Sequence, residues 1–213
     1  MPGLVKICGL NCPKAVKAAV CAGADYLGFV IYQKSSRYVS PEHAGFLAQM
    51  KGSAQSVAVL VEPDDILLSH ILTKMCPDFI QLHGGETPQR CLDARHYCEH
   101  GVWKALSVGT RDDLSQINNY SPYVQGFVLD AKPADGAELP GGLGKKWDYS
   151  LLCRTQIKKP WLVAGGLTIE TVRTALFKTS ATGADVVSGV EIEPGIKDLE
   201  KINRFVKQVK NIQ

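Results

Sequence analysis

The chain has 213 residues, 45% of them hydrophobic and 21% charged, with a formal net charge of +3. Those values fit one soluble globular core and are too small for two full domains; the weak charge, with no Lys/Arg run, leaves no footprint for nucleic acid or a membrane surface. The seven scattered cysteines form no disulfide framework, no secretory leader opens the chain, and no apolar stretch nears the ~20 residues that span a bilayer, so a reduced, cytoplasmic protein with residues 1–213 as a single domain is expected.

An apolar run from Leu4 to Cys8 predicts the first strand. Gly9 breaks it, and a helix follows from Pro13 to Ala22, with Ala15, Val16, Ala19 and Val20 on one face and Gly23 as its stop. Tyr26 to Tyr32 predicts the second strand, and a polar loop to Ser40 carries Lys34 and Arg37. Ser40 at the cap and Pro41 at the first helical position open the next helix. Ser56 to Val61 and Asp64 to Lys74 read as the third strand and its helix, and Phe79 to Leu82 as the fourth strand, closed by His83-Gly84-Gly85 before a helix starting at Thr87-Pro88.

Val102 to Ser107 is the fifth strand, with a helix from Asp112 to Asn119. Val124 to Leu129 is the sixth; it ends at Asp130 and leads into a Gly/Pro-rich loop, Ala131 to Lys146, of a length often used as a lid. A short helix from Tyr149 to Thr155 follows. Trp161 to Ala164 is the seventh strand, closed by Gly165-Gly166, with Thr168 expected to cap the next helix. Asp185 to Val187 is the eighth, closed by Ser188-Gly189, and a last helix runs from Asp198 to Lys210.

Eight strand–helix units in 213 residues, about 27 residues each, force parallel strands with helical crossovers. The strands are nearly continuous apolar runs, as expected when both faces of a sheet are covered. The predicted fold class is therefore α/β, a single-domain (β/α)8 TIM barrel, with an open doubly wound sheet as the competing arrangement.

In a barrel the C-terminal strand ends share one mouth, which here would collect Cys8, Arg37, His83, Asp130 and the two glycine turns. Gly165-Gly166 and Ser188-Gly189 follow the seventh and eighth strands, where this fold habitually holds phosphate; the bland alternative is a pair of tight turns. Cys8 is either core packing or, at its strand end, a reactive thiol. Asp130 is a loop cap or a mouth residue, His83 a pocket residue or one bonded to backbone, and Arg37 a site residue or a solvated charge. Cys8 and Cys12 lack a second pair at ligand spacing, so no metal site is expected.

Taken together, these strand ends resemble the phosphoribosylanthranilate isomerase family of tryptophan biosynthesis over nearly the whole chain. The resemblance rests on Lys6-Ile7-Cys8-Gly9, Leu27-Gly28-Phe29, Ser36-Arg37-Tyr38-Val39, Gln81-Leu82-His83-Gly84 with Glu86, Leu129-Asp130, Gly141-Gly142 with Gly144-Lys145, Ala164-Gly165-Gly166-Leu167, and Ser188-Gly189-Val190-Glu191 with Pro194-Gly195 and Lys197-Asp198. It implies a cofactor-free Amadori rearrangement of N-(5-phosphoribosyl)anthranilate to 1-(2-carboxyphenylamino)-1-deoxyribulose 5-phosphate. Cys8 falls on the family's base, Asp130 on its acid, Arg37 on the arginine that holds the anthranilate carboxylate, and Asp185 on its eighth-strand aspartate. Gly165, Gly166, Ser188 and Gly189 would hold the phosphate, and His83 lies in the pocket without an assigned role. The implied partner is a phosphorylated small molecule, with no nucleic acid and no membrane, and the protein a monomer or homodimer. Asn11 and Leu143 stand where the family usually has Thr, and Val187 where it has Ser.

The residue types suit that chemistry. Opening the sugar ring needs a proton at the furanose oxygen, which a carboxylic acid of raised pKa can deliver. The resulting Schiff base activates the C2 proton for a thiolate, helped by any nearby positive field. A histidine-pathway sugar-phosphate isomerase, or a bifunctional enzyme, would pair aspartates where Cys8 stands. An indole-glycerol-phosphate-forming barrel would want a catalytic lysine and glutamates at the mouth, and Lys6 lies one step below Cys8. A non-catalytic phosphate-binding barrel is the alternative of a different class.

Overall fold

A computed structural model describes residues 3–131, 149–153, 155 and 157–211. Among the described residues, eight strands make one sheet: β1 Leu4–Cys8, β2 Tyr26–Val30, β3 Gln55–Leu60, β4 Phe79–Leu82, β5 Gly101–Val108, β6 Gly126–Ala131, β7 Trp161–Val163 and β8 Gly183–Val186. They pair in parallel in chain order, and β8 returns to β1, so the sheet is a closed barrel and not an open doubly wound one.

Helices cover it outside: α1 Pro13–Ala22, α2 Pro41–Ala48, α3 Asp65–Lys74, α4 Pro88–Ala94, α5 Gln116–Tyr120, α6 Val172–Thr179 and α7 Leu199–Lys210. Their starts are local chemistry. Ser40, Asp64, Thr87 and Asp198 each accept a hydrogen bond from a backbone N–H in the first turn of the helix they cap. α1 stops at Gly23, whose φ of 91° is left-handed. α7 buries Ile202, Phe205, Val206 and Val209 at one-face spacing; on its other side Lys207 is exposed, while half-buried Lys201 and Lys210 donate to the Glu191 carbonyl and to Asp25.

Three expectations are corrected. Thr168 does not cap a helix: its N–H donates to the Thr171 hydroxyl and its carbonyl accepts from the Thr171 and Val172 N–H groups, so it closes a turn and α6 begins at Val172. The stretch from Asp112 splits into a 3₁₀ turn, Asp112–Ser115, and α5, with the Asp113 carboxylate drawn back onto the N–H groups of Gly109 and Thr110. The element after Lys146 is a 3₁₀ turn, Tyr149–Leu152. A hairpin, β9 Glu191–Glu193 with β10 Ile196–Lys197, was not expected between β8 and α7. The loop glycines 141, 142 and 144, with Leu143 and Lys145, lie outside the described residues.

Two apolar layers result. Val5, Ile7, Leu27, Phe29, Ile80 and Phe127 belong to the layer between strands and helices, and Cys8, Val57, Val59, Ala105, Val128, Leu162 and Ala164 fill the barrel axis. Tyr26, Phe79 and Trp103 plug its N-terminal end, with ring centroids 5.1 to 6.0 Å apart in edge-on contacts. The other end of the axis is left to polar groups.

Candidate functional site

Cys8, Arg37, His83, Asp130, Gly165, Gly166, Asp185 and Ser188 all line one pocket at the C-terminal mouth of the barrel. The exception among the expected residues is Gly189. Its backbone packs so tightly on the Leu167 carbonyl that a Cβ would collide there, so it locks the eighth turn against the seventh and does not face the pocket.

Two glycines make room for the Cys8 thiol and the Arg37 stem. Gly28 is the register partner of Cys8 across β1 and β2, and a Cβ on it would lie 2.8 Å from the Cys8 sulfur. Gly9 has φ +75°, and a Cβ there would lie 2.8 Å from Cδ of Arg37. The Cys8-Gly9 pair is thus required by conformation and by clearance together.

Beneath the thiol, fully buried Lys6 donates to Asp185 Oδ2 at 3.0 Å. Burial by itself would lower the Lys6 pKa, but Asp185 and Cys8 outweigh it and hold the ammonium above its usual range. For Cys8 the balance goes the other way. Burial pushes the thiol up, Asp185 adds to this, and the pull of Lys6 and Lys197 does not compensate. The expected positive field is therefore present, yet the free site favours the neutral thiol.

On the opposite side of the mouth Asp130 points into the pocket from within β6, one residue before the strand ends. Its Oδ2 faces His83 Nε2 at 3.6 Å, and His83 Nδ1 is 3.1 Å from the side-chain amide of Gln81. Among the described residues, the buried side-chain oxygens without a hydrogen-bond partner are Gln81 Oε1, Asp130 Oδ1 and Asp185 Oδ1, and all three residues line this pocket. Unpaired buried oxygens cost free energy, and here they are gathered where a ligand could bond to them.

Arg37 reaches the pocket already paired. Its Nε and Nη2 donate to Glu191 Oε1 and Oε2 at 2.8 and 2.7 Å. Buried Lys197 donates to the same Oε1 at 2.9 Å and to the Val187 carbonyl at 2.8 Å. Burial opposes the charge on Glu191, but Arg37 and Lys197 prevail and hold its carboxyl below the usual range.

Gly165 and Gly166 both have left-handed φ, 89° and 63°, and β8 is followed by a 3₁₀ turn, Ser188–Val190. The two turns flank one side of the pocket and offer backbone N–H groups to an anion, without the helix start at Thr168 that the sequence suggested. Among the described residues, the one grouping with metal-ligand spacing is Asp78, Glu99 and His100, none of which lines the mouth pocket.

Gln81, Glu191 and Lys197 were not singled out as site residues. Gln81 could have been found from the inward alternation of β4, two residues before His83. Glu191 and Lys197 stand in motifs that carry the family resemblance, but nothing local pairs them with Arg37, which lies 154 residues away from Glu191 in the chain.

Comparison with known proteins gives a consistent result. Residues 5–208 match the sequence model of a family described as N-(5'-phosphoribosyl)anthranilate (PRA) isomerase. The N-(5'-phosphoribosyl)anthranilate isomerases of Rhizobium rhizogenes and Brucella canis are 41% and 42% identical over 206 residues, covering 96% of this chain and 93% of theirs. The crystal structure of phosphoribosyl anthranilate isomerase from Thermotoga maritima superposes with a TM-score of 0.88 at 32% identity, covering 99% of this chain and all of that one. A structure of such an isomerase in complex with reduced 1-(o-carboxyphenylamino)-1-deoxyribulose 5-phosphate superposes with a TM-score of 0.83 at 30% identity, covering 99% of this chain and 100% of that one.

Proposed function

This chain belongs to the N-(5'-phosphoribosyl)anthranilate isomerase family, and from that premise we propose which of its residues carry the reaction. The activity is the isomerisation of phosphoribosylanthranilate in tryptophan biosynthesis. The observation that supports the assignment of roles is the placement of Cys8 and Asp130, from β1 and β6, in one pocket with Arg37 and the turns after β7 and β8.

Asp130 acts as the acid. It gives its proton to the furanose oxygen as the C1–O bond breaks, and the nitrogen lone pair forms the C1=N double bond of a cationic Schiff base. Cys8 then removes the C2 proton; the C–H electrons form C1=C2 and the C=N pair returns to nitrogen. Proton return to C1 and loss from the C2 hydroxyl complete the ketone, so the sequence is a net isomerisation. The raised pKa of Cys8 fits this order. Burial raises the thiol's pKa in the free protein; the positive charge of the Schiff base opposes that shift and favours the thiolate, the thiol's proton passing to water before C2 is attacked.

Arg37 holds the anthranilate carboxylate, and Gly165, Gly166 and Ser188 hold the phosphate, with Gly189 fixing the second turn. Asp185 fixes Lys6 beneath the thiol and offers its free oxygen to substrate hydroxyls; His83 lies beside the acid. The chain works as a single cytoplasmic domain on a small phosphorylated substrate, without cofactor or metal. It is a monomer or a homodimer; a dimeric relative from Thermotoga maritima is known. No described helix is long and apolar enough to cross a membrane.

The test is the fluorescence decay of freshly generated phosphoribosylanthranilate, with the purified protein beside Cys8→Ser and Asp130→Asn. Decay with the wild type, and its loss in both folded variants, is expected. Near-full turnover by either variant would remove that residue from the mechanism.

A further inference from the structure

An arginine that is to hold a substrate carboxylate here already holds a carboxylate of the protein. A guanidinium is planar and has two edges that can each take a carboxylate in a fork. Glu191 occupies the Nε–Nη2 edge of Arg37 with two short bonds. Among the described residues, the Nη1–Nη2 edge is what remains for a second partner. Glu191 is itself fixed from the other side, because Lys197 donates to its Oε1 and to the Val187 carbonyl. With one carboxylate between two cationic side chains, the cluster keeps a positive remainder to offer a ligand.

The hairpin that supplies both residues also braces the loop that carries Arg37. Glu191 and Lys197 are register partners in β9 and β10. At the tip Gly195 has φ +88°, and a Cβ there would lie 2.7 Å from the Ser36 carbonyl oxygen, so the tip rests directly on the residue before Arg37. Asn11 donates from Nδ2 to the Gly195 carbonyl at 2.8 Å, while its own carbonyl lies 3.1 Å from His43 Nε2 at the start of α2. The 191–197 hairpin therefore grips the Arg37 loop by side chain and by backbone.

We propose that Glu191, braced by Lys197, is a positioning residue that turns the free edge of Arg37 toward the carboxylate of the substrate and so sets the preference for a carboxylated aryl amine. This rests on the reading of Arg37 as the carboxylate binder.

The experiment compares kcat and KM for phosphoribosylanthranilate and for the analogue made from aniline, which lacks the carboxylate. In wild type the carboxylated substrate is preferred. In Glu191→Gln we expect that preference, read as the ratio of kcat/KM values, to fall by about tenfold or more, with kcat changed less than about threefold, since a bond to a charged partner is lost. The aniline analogue should be turned over as before. Arg37→Ala should abolish the preference, and adding Glu191→Gln to it should change the ratio no further. Equal losses on both substrates, an unchanged preference, or tighter binding of the carboxylated substrate in Glu191→Gln would overturn the proposal. Retention of the preference in Arg37→Ala would instead overturn the reading of Arg37 beneath it. If Glu191→Gln fails to fold, Lys197→Gln keeps Glu191 but loosens it; a preference lowered by about threefold supports the proposal and an unchanged one overturns it.

Discussion

Asp78 and Asp130 are both buried carboxylates on the barrel, at opposite ends, and they are treated differently. Asp78 sits just before β4 at the N-terminal rim. Its Oδ2 accepts from the Ser56 N–H at 2.6 Å, from the Ser56 hydroxyl at 2.7 Å and from Lys51. Asp130, near the C-terminal end of β6, has, among the described residues, one buried oxygen with no partner and another that faces His83 at 3.6 Å. The same contrast holds around each. The N-terminal rim is stapled by Asp25, which accepts from the Val5 N–H and from Lys210, and by Gln125, which accepts from the Val102 N–H. The mouth collects the three unpartnered oxygens. One end of the barrel is finished as a structure, and the other is left for a ligand to finish, at a cost to stability that the first end helps to offset.

The largest effect that would break this contrast lies at the mouth. Cys8→Ser and Asp130→Asn should each lower turnover by ~10²–10⁴ without lowering the melting temperature. A clear loss of stability in Asp130→Asn would mean that this carboxylate also holds the fold. Next in size, Arg37→Ala should raise KM by about tenfold or more, with Arg37→Lys only a partial rescue, because an ammonium lacks the forked edge. Steady-state kinetics on both variants decides this.

The N-terminal rim should answer in stability instead. Asp78→Ala strands the Ser56 N–H, the Ser56 hydroxyl and Lys51, and should cost about 1–3 kcal/mol in urea unfolding while leaving kcat/KM of the folded fraction unchanged. Although burial opposes it, bonding to Lys51 and Ser56 holds the Asp78 carboxyl below its usual range. A depressed pKa contributes stability above the unfolded value of ~4 and loses it as pH falls through the folded value, so wild type and variant should converge in acid. A gap that persists at low pH would count against the assignment.

The smallest effect concerns Cys8 alone. Its alkylation by iodoacetamide, followed by peptide mapping in the ligand-free protein, should rise with pH along a curve centred above the ~8.5 of an ordinary thiol, because burial disfavours the thiolate. A midpoint below that value would show that Lys6 and Lys197 outweigh burial, and would make the thiolate the resting state.

Much of the barrel could be read from local signals. Ser40-Pro41 and Thr87-Pro88 start helices where a hydroxyl cap and a proline imply, and Gly23 ends one. β4 has the bounds its apolar run suggested. Local signals failed where a residue found a different local partner or where an element was short. The Thr171 hydroxyl takes the Thr168 N–H and turns an expected cap into a turn. The 191–197 hairpin has strands of three and two residues with charged ends, too short to show an alternation.

The sequence by itself determined the alternation of buried strands and helices, the number of barrel strands, and the chemistry waiting at each strand end, because caps, glycine stops and apolar periods act over a few residues. Tertiary structure decided what those ends do to one another. Closure of β8 onto β1 sets Asp185 against Lys6 across 179 residues, which fixes the charges beneath Cys8. The hairpin brings Glu191 to Arg37 and, among the described residues, leaves one guanidinium edge free. Gly28 is needed only because the register puts it opposite Cys8. Such pairings depend on register and closure between distant segments, and no periodic pattern within either segment encodes them.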